Sequence, residues 1–232
     1  MKDIKQKVYE ANLELVRRNL VIYTWGNVSA IDREKKLVVI KPRGVEYSDM
    51  TADDMVTVDL AGNRLDGHYF PSVDLDIHLA MYEGFPEVVA IAHTHSTYAT
   101  VWSQAGQPIP VLGTTHADHF YGPIPCSRPL TDEELEGNYE RHTGKSIVEA
   151  LAGRDPMQVY AALVAGHGPF TWGDSPEQAV EHSVILEEVA RMAKATVDIN
   201  PQIQCISQKL LDRHFLRKHG ASAYFYQHQG SR

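Results

Sequence analysis

The sequence has 232 residues and a mass of 26.0 kDa, the size of one domain or at most two. Hydrophobic residues make up 43% and charged residues 22%, which excludes disorder driven by high charge and low hydrophobicity. The net charge of −8 and the lack of an apolar run near the ~20 residues of a membrane span argue against nucleic acid and membranes as partners.

Cysteine usage and the amino-terminal pattern bear on location. Cys126 and Cys205 form no CxxC pair and no disulfide framework, as is typical of a reducing compartment. The first residues follow a charged helical pattern without the apolar stretch of a signal peptide. We therefore expect a cytoplasmic protein.

Hydrophobic periodicity divides the first part of the chain into two helices and several short strands. Apolar residues recur at helical spacing from Ile4 to Leu15 and predict a first helix that ends near Asn19. Ser72 is predicted to cap a second helix, which runs through His78 to Glu83. The predicted strands are Asn27–Ile31, Leu37–Lys41, Met55–Leu60, Arg64–Asp66 and Val88–His93.

The second part of the chain is predicted to be mostly helical. The predicted elements are a helix over Thr97–Gln104, a strand over Ala161–Ala165, a helix from the capping box Ser175–Gln178 to about Thr196, and a last helix from about Pro201 to His219. Helices at the front, middle and back thus enclose mostly β segments. This pattern predicts one α/β domain over residues 1–232, with a sheet covered by helices on both faces.

Three histidines follow predicted strands that run into polar residues. His93 and His95 end one strand, and residues two apart on a strand face the same way, so both imidazoles can reach one point. His167 lies between two glycines directly after another apolar strand. Three neutral imidazoles favour zinc or a similar divalent ion and leave positions open for a substrate. The alternatives are two surface histidines and a capping histidine in a turn.

Four polar segments have both a structural and a functional interpretation. Thr114–His119 presents an acid and a histidine to a reacting group, or it is a solvated loop. Gly26-Asn27 and Lys41–Gly44 offer backbone N–H groups and cations to a phosphate, or they are hairpin turns. The carboxylates of Pro71–His78 lie at a helix N-terminus, where such groups ordinarily act as caps.

Seven motifs follow one another along the chain: Trp25–Ser29, Lys41–Val45, Pro71–His78, His93–Ser96, Gly113–Asp118, His167–Phe170 and Lys218–Gly220. In this order they resemble the class II aldolase/epimerase family over nearly the whole chain. The Gly113–Asp118 block and the aromatic tail favour the branch of L-ribulose-5-phosphate 4-epimerases over the aldolases.

The resemblance implies a three-layer α/β/α fold, with a mainly antiparallel central sheet covered by helices on both faces. It also implies a homo-oligomer, a tetramer with active sites between subunits. Zn²⁺ or another divalent ion would be bound by His93, His95 and His167, and Asp74 matches the fourth metal-site position.

The resemblance also assigns substrate-binding and catalytic positions. The positions that line the phosphate pocket are Gly26, Asn27, Arg43, Gly44, Ser72 and Val73. Asp118 matches a catalytic acid/base that a neighbouring subunit delivers, and a tyrosine of the tail is the second acid/base. The implied reaction interconverts L-ribulose 5-phosphate and D-xylulose 5-phosphate, or a close ketose phosphate, by breaking and remaking the C3–C4 bond. The alternatives are an aldolase that releases a sugar-phosphate fragment and a 4-epimerase for a different ketose.

Three positions depart from the family pattern. Arg43 and Val73 replace two serines of the phosphate pocket, and Phe225 falls on the catalytic tyrosine. Tyr226 is therefore predicted to be the second acid/base, with Tyr224 as the alternative. The next candidates for that function are His214 and Tyr139.

Overall fold

The computed structural model describes residues 2–219 and Ala223. Its strands are β1 (Asn27–Asp32), β2 (Leu37–Ile40), β3 (Val56–Asp59), β4 (Arg64–Asp66), β5 (Ala90–His93), β6 (Ala161–Leu163) and β7 (Pro169–Gly173). Together they form a seven-stranded sheet in the order β4-β3-β2-β1-β5-β7-β6. Every neighbouring pair is antiparallel.

The helices flank this sheet. They are α1 (Lys2–Arg17), α2 (Leu75–Gly84), α3 (Thr97–Gln104), α4 (Thr114–Ala117), α5 (Asp132–Glu136), α6 (Tyr139–Ala150), α7 (Pro156–Val159), α8 (Pro176–Ile199) and α9 (Gln208–His219). No helix in the described part of the chain is long and apolar enough to cross a membrane.

Alternating strand residues pack against two different groups of helices. Val38, Ile40 and Ile91 belong to the core that includes apolar residues of α2 and α6. Val39 and Ala92 point to the opposite face, into the core shared with α1 and α8. Successive strand residues face opposite sides, so the sheet is the middle of three layers. The expected α/β/α fold with an antiparallel central sheet is confirmed.

Several predicted boundaries are corrected. The last helix begins at Gln208 rather than near Pro201, since Ser207 accepts hydrogen bonds from the first turn and the Ile206 amide is bound to the Val111 carbonyl. The second helix begins at Leu75, with Asp74 rather than Ser72 at its N-cap position.

Two segments with no predicted regular structure are ordered elements. Pro169–Gly173 is a strand, and all five of its residues are buried, because Phe170 and Trp172 lie in the core on one face of the sheet and Thr171 contacts α8 on the other. It therefore lacks the polar alternation that marks a half-exposed strand. Thr114–Ala117, interpreted above as polar loop, is a short helix with Asp118 at its C-cap position.

A buried asparagine joins α1 to the sheet at the end that carries the histidines. The β1–β2 pairing stops at Ser29 and Ile40, one residue short of Val28. The side chain of Asn12, fully buried, takes the place of the missing strand. Its Oδ1 accepts the Val28 amide proton at 2.9 Å, and its Nδ2 donates to the Val28 carbonyl at 3.2 Å.

We expect Asn12→Leu to lower the free energy of unfolding by about 2–4 kcal/mol, because it leaves two buried backbone groups unpaired at roughly 1–3 kcal/mol each. Denaturant unfolding followed by circular dichroism measures the change. Gln6→Ala, on the exposed side of the same helix, is the control and should stay within about 0.5 kcal/mol. Equal effects of the two changes would contradict this function of Asn12.

Candidate metal centre

A cavity of about 590 Å³ opens where β1 begins and β5 ends. His93 is the last residue of β5 and pairs across the sheet with Asn27 on one side and Phe170 on the other. Ten of the thirteen residues predicted to form the site line this cavity: Gly26, Asn27, Arg43, Gly44, Ser72, Val73, Asp74, His93, His95 and His167. The segments that connect the strands at this edge of the sheet thus bring together side chains that are far apart in sequence.

Three imidazoles converge in the cavity. One ligand nitrogen from each of His93, His95 and His167 lies within 4.8 Å of the other two. The Nδ1 atom of His93 donates to the Pro169 carbonyl at 2.9 Å, which leaves its Nε2 lone pair free to face the other rings. Phe170 stacks on the His93 ring at 4.2 Å between centroids and fixes its plane.

The three histidines are held neutral. Burial lowers the pKa of His93 well below its ordinary value, and the neighbouring His167 and His95 rings lower it further. Burial also lowers the pKa values of His95 and His167, although the charge of Asp74 opposes the shift at both. A neutral imidazole has the lone pair that a metal ion requires, so the cluster is in its ligating form at neutral pH.

The geometry of the cluster fits a tetrahedral divalent ion. The Nε2 atoms of His93 and His95 lie 3.1 Å apart. Two nitrogens bound to one tetrahedral ion at about 2.05 Å would lie about 3.3 Å apart. His167 has its Nδ1 atom 3.4 Å from the phenol oxygen of Tyr139, a contact of the kind that orients metal-bound imidazoles from behind. The three residues therefore fit Zn²⁺ or a similar ion.

Asp74 lies beside the histidines without being part of their cluster. Its Oδ2 accepts a hydrogen bond from Asn27 at 2.7 Å, and Asn27 also donates to Ser72 at 3.1 Å. Asp74 lines the same cavity, and its negative charge acts on His95 and His167. The first residue of β1 thus holds the carboxylate at the edge of the site. From there it can complete the ligand set of the three histidines.

Gly26 is required by the close approach of the Trp25–Asn27 turn to β5. Its φ is +104°, and a Cβ atom there would lie 2.8 Å from the His93 carbonyl oxygen. Such a conformation and contact admit glycine only. The glycine therefore allows Asn27 and the histidine cluster to lie side by side.

The other end of the cavity carries two cations. Lys41 is 2% exposed, donates to the Val45 carbonyl at 3.1 Å and lies 4.6 Å from the centre of the Tyr47 ring; burial lowers its pKa to about 8. The Arg43 guanidinium lies against the Phe70 ring at 6.0 Å. Among the described residues, no hydrogen bond or ion pair occupies that guanidinium. This end of the cavity is suited to an anion.

Asp118 does not line the cavity of its own chain. It ends α4 and binds α9 through Arg217 at 2.9 and 3.0 Å and through His214 at 3.0 Å. Burial favours a higher pKa for this carboxyl, but the hydrogen bonds from His214 and Arg217 and the charge of Lys218 outweigh it and lower the pKa. Asp118 is therefore ionised at neutral pH.

The two predicted tail residues, Tyr224 and Tyr226, lie outside the described residues. Of the next candidates, His214 contacts Asp118 and Tyr139 contacts His167. Sequence reasoning missed that each of them contacts a residue of the predicted site, because the two contacts join positions that are 96 and 28 residues apart. No periodicity or motif carries that signal.

Comparison with known proteins supports the same fold. The family model described as Class II Aldolase and Adducin N-terminal domain matches residues 6–194. A solved L-fuculose 1-phosphate aldolase superimposes with a TM-score of 0.77 at 26% identity, covering 91% of this chain and 94% of that one. YgbL from Klebsiella pneumoniae gives 0.70 at 26% identity, covering 91% and 97%. The L-fuculose-1-phosphate aldolase of Thermus thermophilus gives 0.66 at 24% identity, covering 84% and 97%.

We expect His167→Ala to remove most of the bound divalent ion while leaving the far-ultraviolet circular dichroism unchanged, because one of three neutral ligands is lost. Elemental analysis of the purified protein measures the metal content. His142→Ala, a histidine outside the cluster, is the matched control and should keep its metal. Full metal content in His167→Ala would contradict the assignment.

We also expect the protein to lose stability as the pH falls below 6.5. Burial lowers the pKa values of His78, His116 and His182 to about 3, 4 and 4. In the unfolded chain each titrates near 6.5, so between pH ~6.5 and ~4 only the unfolded chain takes up these protons. The free energy of unfolding should fall by up to ~1.4 kcal/mol per pH unit for each histidine.

Denaturant titrations at several pH values, with a chelator present, measure this slope. The double variant His116→Gln/His182→Gln should show a shallower slope between pH ~6.5 and ~4. An unaltered slope in that variant would show that other groups cause the acid sensitivity.

Proposed function

Because this chain belongs to the Class II Aldolase and Adducin N-terminal domain family, we propose that it is a zinc-dependent 4-epimerase of a ketose phosphate. The proposed reaction interconverts L-ribulose 5-phosphate and D-xylulose 5-phosphate, or a close ketose phosphate. The observation that carries the proposal is the convergence of three neutral imidazoles on one cavity. The cavity's opposite end is cationic, which suits a substrate with a phosphate.

The substrate chemistry explains why such a site is needed. C4 of a 2-ketopentose phosphate has no acidic hydrogen, so its configuration cannot be inverted by simple deprotonation. Breaking and remaking the C3–C4 bond can invert it. A divalent ion held by the three imidazoles would supply Lewis-acid stabilisation of negative charge on the substrate's C2 and C3 oxygens. Asn27 and Asp74, joined by a 2.7 Å hydrogen bond, define the edge of the cavity against which the sugar lies.

In this proposal the cationic end of the cavity binds the phosphate. The Arg43 guanidinium can bind two phosphate oxygens at once, and it lies on the Phe70 ring without a competing acidic partner among the described residues. Gly44, with φ of +65°, exposes its backbone beside Arg43. Val73 has no hydrogen-bond donor in its side chain, so Arg43 carries the binding that a hydroxyl would otherwise give.

Proton transfer at the C4 oxygen is assigned to Asp118 and to a tyrosine of the tail, Tyr226 or Tyr224. The ionised state of Asp118 suits it to accept the C4 hydroxyl proton as the C3–C4 bond breaks. Asp118 does not line the cavity of its own chain, so the proposal requires a homo-oligomer in which a neighbouring subunit delivers it. A cytoplasmic homotetramer is the form we propose.

An aldolase that releases its two fragments is the second candidate. It is favoured by the likeness to L-fuculose 1-phosphate aldolase, at 26% identity over 91% of this chain. The two reactions share the bond-breaking step. They differ in whether the aldehyde fragment stays bound, turns its other face and re-adds.

Incubation of the zinc-loaded protein with L-ribulose 5-phosphate, with and without a reagent that traps free aldehydes, distinguishes the two functions. Formation of D-xylulose 5-phosphate that the trap does not reduce supports the epimerase. Accumulation of trapped glycolaldehyde phosphate and dihydroxyacetone supports the aldolase. His167→Ala protein from the same preparation is the control. If zinc-loaded protein converts neither this sugar nor other ketose phosphates, the proposal is wrong.

We expect Arg43→Ser to raise KM for the phosphorylated substrate by about 10- to 100-fold, since a hydrogen bond to a charged group contributes roughly 1.5–3 kcal/mol. The change in kcat should be smaller, because the phosphate lies away from the reacting bond. Steady-state kinetics measure both. Arg64→Ser is the control, since Arg64 contacts the same Phe70 ring but does not line the cavity. If the unaltered protein converts unphosphorylated ketoses equally well, the phosphate assignment fails.

A further inference from the structure

Behind the histidine cluster lies a buried chain of three polar side chains. The Ser29 hydroxyl is 2.7 Å from Nδ1 of His78 and 2.7 Å from the Tyr82 phenol oxygen. Ser29 and His78 are fully buried, and Tyr82 is 2% exposed. Ser29 comes from β1, whereas His78 and Tyr82 are four residues apart on α2. Buried polar groups are costly unless paired, so this chain calls for an explanation.

The direction of the hydrogen bonds follows from counting protons. Burial raises the pKa of Tyr82, so its phenol is protonated and donates to Ser29. Ser29 then donates its single proton to Nδ1 of His78, which places the His78 proton on Nε2. The reverse direction would leave the Tyr82 proton without an acceptor as well as the His78 Nε2 lone pair without a donor. The first arrangement leaves one unpartnered group, and the reverse leaves two.

The unpartnered group of this chain, Nε2–H of His78, lies near the metal centre. Among the described residues, His78 Nε2 and Asn27 Oδ1 are buried side-chain atoms without a hydrogen-bond partner. His78 is one helical turn after Asp74, and its amide donates to the Asp74 carbonyl at 3.2 Å. Its ring also meets the edge of Phe170 at 6.0 Å, and Phe170 stacks on His93.

The two pairs between β1 and α2 are arranged one above the other. Asn27 and Ser29 are two apart on β1 and share a face. Asn27 holds Asp74 at 2.7 Å and Ser29 holds His78 at 2.7 Å. Asp74 and His78 are likewise neighbours on one face of α2. The charge of Asp74 acts on His78 and opposes the lowering of its pKa by burial.

We propose that His78 is a positioning residue of the metal site, whose Nε2–H, aimed by Ser29, serves as hydrogen-bond donor to the Asp74 carboxylate when the site is loaded. Asn27 and His78 would then hold the carboxylate from two sides and fix the oxygen that faces the ion. Partners of this kind behind a ligand typically change metal affinity by about 10- to 100-fold when removed. The inference rests on the proposed metal site.

Two substitutions of His78 distinguish the functions of its two ring nitrogens. In His78→Gln the amide nitrogen of the new side chain lies near the position of Nε2, whereas the shorter amide of His78→Asn reaches only the position of Nδ1. Zinc affinity, measured by competition with a chromophoric chelator, is the readout. We expect His78→Asn to weaken zinc binding at least ~10-fold and His78→Gln to stay within about threefold of the unaltered protein.

A second pair of variants tests the direction of the relay. Ser29→Ala removes the donor to Nδ1 and should weaken zinc binding in the same direction as His78→Asn. Tyr82→Phe removes only the phenol and leaves Ser29 free to donate to His78, so zinc affinity should be unchanged. Thermal unfolding of each variant in the metal-free state measures any general loss of stability. Such a loss would affect His78→Asn and His78→Gln alike, whereas the loss of zinc affinity should differ between them.

The tautomer can be read in the unaltered protein without any substitution. The ¹⁵N chemical shifts of the His78 ring should show a protonated Nε2 and an unprotonated Nδ1 before zinc is added. The opposite tautomer, or equal zinc affinities of His78→Asn and His78→Gln, would overturn the inference. If the unaltered protein binds no zinc, the proposed function fails instead, and the tautomer measurement still decides the relay.

Discussion

The pairing of β5 with β1 on one side and β7 on the other is the constraint on which the site depends. It places Asn27, His93 and Phe170 in one row across the sheet. At this row β5 ends, whereas β1 begins and β7 has just begun, so the segments that flank these strands carry side chains into one cavity. His95 and the His167 loop reach the same point for this reason. A shift of one residue in either pairing would turn His93 to the opposite face.

Burial then determines what these side chains can do. His93, Asn27 and Lys41 are all at most 2% exposed, although each is polar. Each is held by a specific partner: the Pro169 carbonyl, Asp74 and the Val45 carbonyl respectively. Burial keeps the His93 imidazole neutral, and these partners fix the directions of the three side chains. Neutral nitrogens held in fixed directions are suitable ligands for a divalent ion, which distinguishes this cluster from other buried polar clusters.

Much of this arrangement could be predicted from local patterns. The same-face spacing of His93 and His95 and the strand before His167 predicted three converging imidazoles, and the phosphate-pocket positions taken from the family resemblance line the same cavity. The strand β7 could not be recognised, because a strand buried on both faces has no polar alternation. The position of Asp118 against α9 could not be predicted, because it depends on contacts between segments that are distant in sequence, and local residue patterns carry no information about such contacts.

The order of the strands also determines when the site can form during folding. The His93–Pro169 hydrogen bond joins residues 76 positions apart, and its formation closes a long loop, which is slow compared with local helix formation. The ligand set therefore stays incomplete until β7 docks on β5. An ion that binds only the completed set stabilises the native state but not the transition state for folding. Such an ion would slow unfolding and leave the folding rate unchanged, so a metal bound at this site would stabilise the assembled sheet kinetically.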